Sequence, residues 1–132
     1  MASGRKIGST WLLITGILVT LLGLLHVGMT PLVYDQGWNE LPEADARAFV
    51  YMYVAAGLVL VLAGILTVRS ARALGRGEKW GYGVATIAAW FVILMGVGAV
   101  INMRSNPFSW IALVVAVLNY VPLAGYRRAF KG

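Results

Sequence analysis

Four long apolar runs decide what this chain can fold into. They cover residues of about 8–30, 48–68, 80–103 and 108–124, each close to the roughly 20 residues an α-helix needs to cross a bilayer core. In hydrocarbon every backbone N–H and C=O must be satisfied within the segment, so runs of this kind fold as helices. The connections between them are short, which makes consecutive helices antiparallel neighbours. The expected fold is therefore all-α: an integral membrane four-helix bundle forming a single transmembrane domain over residues 1–132. Only 12% of residues are charged, about half of what a soluble domain carries.

The distribution of those charges is as informative as their scarcity. Arg5, Lys6, Arg69, Arg72, Arg76, Lys79, Arg127, Arg128 and Lys131 fall at one end of the expected bundle, against Arg47 and Arg104 at the other. Lys and Arg accumulate on cytoplasmic flanks, so both termini are expected in the cytoplasm. The net charge of +6 does not imply a nucleic-acid partner, because the cations flank spans instead of forming a patch. Arg5-Lys6 resembles the start of a signal peptide. The run that follows is too long for a cleaved apolar region, and no small-x-small site follows it, so it is expected to be retained. A bacterial inner (plasma) membrane, crossed several times, is the simplest placement.

Several chemistries are excluded by residue count. There is no cysteine, which removes thiol nucleophiles, disulfides and iron–sulfur ligands. One histidine and no carboxylate within a span leave too few ligands for a transition metal, so no metal site is expected. Four of the five acids, Asp35, Glu40, Glu43 and Asp45, sit in the first outer loop, and Glu78 lies in the inner one. Proton-coupled export of the small multidrug type needs a carboxylate inside a span and is disfavoured. No Gly-x-Ser-x-Gly elbow is present.

The most distinctive stretch is Leu21-Leu-Gly-Leu-Leu-His-Val-Gly-Met-Thr-Pro31, which carries the single histidine near a span end. An ionisable group at that depth needs a partner and is a site hypothesis by default. Alternating spans bring His26, Tyr51, Asn102 and Arg104 to the same outer end, together with Met29, Thr30, Tyr34 and Asp35. One reading is a ligand-binding pocket, where His26 binds or relays a proton and Arg104 holds an anionic or carbonyl group. The other is structural: His26 donates to a backbone carbonyl or to Tyr51, Asn102 satisfies turn backbone, and Arg104 pairs with the acidic loop. Small residues Gly16, Thr20 and Gly23 form a close-packing stripe on the first helix, and Ala56, Gly57, Ala63 and Gly64 supply another on the second. Trp90, at mid-span, is expected inside the bundle. Gly23-x2-His26-x4-Pro31 also echoes Ala99-x2-Asn102-x4-Pro107, placing two polar side chains at equal depth.

The glycine-rich first helix ending in Gly-x-x-His-x-x-x-x-Pro, in a four-helix chain of this length, resembles the DoxX-like group of small bacterial membrane proteins. The match covers Leu21 to Pro31 and the topology. Some members are associated with quinone-linked oxidoreductase complexes, so the resemblance implies an accessory membrane subunit. Two functional expectations follow. The first is a non-catalytic integral membrane subunit that docks on a larger complex, or self-associates, through small-residue helix faces, with lipids and other membrane subunits as partners. The second is a protein binding an apolar ligand, a quinone or a lipid, in an outer pocket around His26, with no tightly held cofactor otherwise expected.

Overall fold

The computed structural model describes residues 2–131. Four helices are long and apolar enough to cross a membrane. They are α1 (Ala2–Gly28), α3 (Glu43–Gly75), α4 (Trp80–Asn102) and α5 (Pro107–Gly125), with two short helices, α2 (Thr30–Asp35) and α6 (Arg127–Lys131), at opposite ends. A 3₁₀ turn at Trp38–Glu40 lies between α2 and α3. The four long helices close a ring in the order α1, α3, α4, α5, so that α1 and α4 sit diagonally across it.

Helix boundaries follow local chemistry where the apolar pattern is silent. The second apolar run ends near Val68, and the segment from Arg69 was expected to be a loop. The helix instead continues to Gly75, because Ser70, Ala71, Ala73 and Leu74 still find buried partners. Only Arg76 to Lys79 remain as the turn, and Gly77 takes a positive φ of 86° there, a conformation natural to glycine. Pro31 was expected to end the first helix. It instead opens α2 in that helix's first turn, where its missing N–H costs nothing. At the start of α5, the Asn106 side chain caps the helix by accepting from the Phe108 N–H at 3.0 Å.

The α1–α3 seam is the closest in the molecule, and glycine makes it so. A Cβ on Gly23 would sit 2.6 Å from the Val61 nitrogen and 2.7 Å from the Gly57 oxygen. One on Gly64 would sit 2.5 Å from the Thr20 nitrogen and 2.9 Å from the Gly16 oxygen. These are backbone atoms of the facing helix, so neither side can yield. Gly81 meets the Ser70 carbonyl in the same way, and Gly96 meets Leu113. The small-residue stripes therefore face one another within the chain.

Two layers of buried side chains fill the bundle. The layer nearer the termini gathers Leu12, Ala71, Leu74, Ala85, Ala89 and Leu123, closed below by Phe130 of α6. The middle layer contains Val19, Leu60, Ala63, Ala88, Val92 and Ala116. Beyond it, towards α2, the buried positions among the described residues are Gly23, Gly57, Gly96, Ala46 and Ser109. Packing is thus dense at the terminal end and sparse at the far one. Trp90, expected inside, is 50% exposed and lies against Tyr120 with ring centroids 5.4 Å apart. The interior stripe of α4 is Ala85, Ala89, Val92 and Gly96, and helices drawn together by such small residues leave no room for an indole.

Candidate functional site

Polar side chains within the bundle are few. Asn119 is completely buried, and its Oδ1 lies 2.8 Å from the Thr15 hydroxyl across the α1–α5 seam. Thr15 is also 3.2 Å from the Leu12 carbonyl. A hydroxyl has one hydrogen and two lone pairs, so donation to Leu12 leaves it able to accept from an amide turned the other way. That arrangement replaces the partnerless Asn119 Nδ2 donor with a partnerless carbonyl, which is the less costly orphan. Asn119 is absent from the site residues expected from the sequence. Its spacing of three from Ala116 and four from Leu123 was the signal that it shares their buried face.

His26 lies at the far end of α1 in an aromatic corner. Its ring stacks on Tyr53 with centroids 3.9 Å apart and planes at 21°. Trp38, from the 3₁₀ turn, meets Tyr53 edge-on at 5.4 Å and stacks against Phe49 at 5.7 Å. Among the described residues the buried His26 Nε2 has no hydrogen-bond partner. The connecting segment between α2 and α3 therefore reaches the ring on which His26 stacks, with Trp38 meeting Tyr53 and Phe49. Tyr53, Trp38 and Phe49 were absent from the expected site. Tyr53 was nonetheless legible, since it shares the α3 stripe of Gly57, Leu60 and Gly64.

The expected convergence of His26, Tyr51, Asn102 and Arg104 gives way to three separate places. Tyr51 is two residues from Tyr53 and so about 200° away around the helix; it is 75% exposed and cannot face His26. Asn102 donates from Nδ2 to the Gly98 carbonyl of its own helix at 2.8 Å. Arg104 is exposed, and its carbonyl accepts from the Trp110 indole at 3.0 Å. The echo between His26 and Asn102 thus links two different environments, one stacked on Tyr53 and one at the exposed end of α4.

Tyr51 belongs instead to a groove of about 510 Å³ between α2 and the first turns of α3. Its floor is Ala46, Val50 and Val54, and Tyr34 and Tyr51 form the rim. Glu43 and Arg47 stand at its upper end, ion-paired with each other across one helical turn. A second groove of about 500 Å³ lies along the outward face of α1, with Lys6 at one end and Trp11 and Ile14 at the other. Among the described residues no three His, Cys, Asp or Glu side chains gather as a metal site would require. No family model, curated protein or solved structure matches the chain.

Proposed function

We propose that this protein is a non-catalytic integral membrane subunit, with both termini cytoplasmic, that assembles with a larger membrane complex or with copies of itself. One observation carries the reading: the polar groups of the bundle are turned on the bundle itself. His26 stacks on Tyr53, which Trp38 meets edge-on, Asn102 bonds its own helix and Asn119 meets Thr15. What the chain offers its surroundings is mostly apolar helix flank. The concentration of nine of eleven cations at the terminal end supports the orientation, and a bacterial inner membrane is the simplest location. The resemblance of Leu21–Pro31 to the DoxX-like group points to the same accessory role.

Because Gly16, Gly23, Gly57 and Gly64 are enclosed in the α1–α3 seam, association falls to other faces. The outward face of α4 is the best suited. Nothing lies within 4 Å of a Cβ built on Gly83, and exposed Trp80, Ile87 and Trp90 flank it. Gentle extraction from the native membrane followed by native mass spectrometry is expected to find the chain bound to other polypeptides or to itself. A lone chain with no associated polypeptide would sink the subunit reading. In the same assay His26→Ala should leave the assembly intact, since the imidazole packs on Tyr53 of its own chain.

The alternative, a quinone- or lipid-binding protein, draws its support from the groove lined by Tyr51, which His26, Asn102 and Arg104 do not line. Ligand-induced stabilisation that survives Arg104→Ala but not Tyr51→Ala would favour it.

A further inference from the structure

The groove between α2 and α3 has the layout of an amphiphile site: charges at one end, an apolar floor below, and phenols on the rim. We propose that it seats one phospholipid with an ethanolamine headgroup in the leaflet opposite the termini. The lipid phosphate would lie on Arg47, its ammonium on Glu43, and an acyl chain along Val50 and Val54. The proposal rests on the membrane reading above.

Depth is the first argument. Helix α3 has 33 residues, about 50 Å of helix against a hydrocarbon core of about 30 Å. Its apolar run begins near Phe49, which leaves Arg47 about half a turn and Glu43 about 1.7 turns above the hydrocarbon, at headgroup level. Val54 lies seven residues beyond Arg47, about 10 Å deeper, where an acyl chain would be. Tyr34 and Tyr51 occupy the boundary that amphipathic rings favour, and among the described residues neither phenol has a hydrogen-bond partner.

Charge selects the headgroup. This end of the molecule carries Asp35, Glu40, Glu43 and Asp45 against Arg47 and Arg104, an excess of acid that disfavours anionic lipids. The Glu43–Arg47 pair is a plus and a minus about one turn apart, the complement of a phosphate joined to an ammonium. Both side chains are largely exposed, at 80% and 78%, so their mutual attraction is weak and readily shared with a ligand. Arginine has five N–H donors in a planar fork and keeps several for phosphate after meeting Glu43. A primary ammonium donates hydrogen bonds to a carboxylate, and a choline group has none to donate. A quinone presents carbonyls alone, which could accept from Arg47 but have no donor to offer Glu43.

The test is native mass spectrometry of the full chain released from bilayer discs containing ethanolamine, choline and glycerol phospholipids with identical acyl chains. The wild-type protein should retain one ethanolamine lipid over choline lipid by about fivefold, the ratio expected for about 1 kcal/mol of discrimination. Glu43→Gln should bring that ratio close to one while lipid is still retained, and Arg47→Gln should lower retention of both zwitterionic lipids. Lys6→Gln, in the other groove, should leave the ratio unchanged. Equal retention of ethanolamine and choline lipids by the wild type, preference for the glycerol lipid, or a preference that survives Glu43→Gln would overturn the site. Loss of the preference with Lys6→Gln alone would place the lipid elsewhere and overturn it too. If alkaline carbonate strips the chain from vesicles, the membrane reading itself fails and takes the site with it.

Discussion

At the scale of single residues, the decisive feature is the absence of a side chain at a few positions. Gly23 and Gly64 let α1 and α3 approach until backbone meets backbone, which gains dispersion contacts that larger residues would prevent. A methyl group on Gly23 would strike the Val61 nitrogen and the Gly57 oxygen, and the helices would have to part. Gly23→Ala is expected to destabilise the fold by about 1–3 kcal/mol, the usual cost of overpacking, in thermal unfolding followed in detergent. Gly83→Ala, where a Cβ meets nothing within 4 Å, should leave the midpoint unchanged or raise it through better helix propensity. Equal losses at the two sites would contradict the close approach.

Among the elements, the α3–α4 turn shows how a short polar segment is fastened. Arg76 donates to one oxygen of Glu78 at 2.6 Å, and the Trp80 indole donates to the other at 2.7 Å. The Arg76 hydrogen bond, with help from Trp80, holds the Glu78 carboxyl below the ordinary carboxylate range. A lowered value means that the folded state binds the proton less tightly than the unfolded one. The tie is therefore fully present above the unfolded carboxylate value and is lost as pH falls through the depressed one. Carboxyl NMR should find Glu78 titrating below the ordinary carboxylate range, and Arg76→Ala should move it back towards the ordinary value. An unmoved Glu78 in that variant would show that the guanidinium is not the cause. Next to this turn, Arg5 donates from Nε to the Ala129 carbonyl at 3.3 Å, joining the first and last helices.

For the whole molecule, the last helix acts as a plug. Phe130 is 4% exposed and seats over Gly8, where a Cβ would come within 2.7 Å of its ring. Phe130→Ala should cost about 3–5 kcal/mol, as removal of a buried aromatic does, measured by chemical unfolding in detergent; a silent substitution would mean that α6 is not part of the folded core. Much of this architecture was legible beforehand, because bilayer thickness forces apolar runs to a narrow range of lengths and the helices inherit them. Helix ends were less so. Arg69 and Arg72 continue α3 beyond its apolar run, and nothing in hydropathy marks a helix that goes on past the hydrocarbon. The environment of His26 was the hardest part. Its partner depended on the rotational phase of α3, which separates Tyr51 from Tyr53, and on a connecting segment whose Trp38 folds back from a distance in sequence.

The uneven filling of the bundle gives the molecule the mechanics of a tuning fork. One buried layer and the α6 plug clamp the four helices at the terminal end and a second layer holds their middle, while the opposite ends are joined by connecting segments and an aromatic contact. Regions with few buried contacts open at the lowest free-energy cost, so amide hydrogen exchange is expected to be faster at the tips than at the base. The histidine and the acidic loop ride on those tips. Whatever meets the protein from that side meets its most compliant part, and the rigid end holds the helices in register while it does.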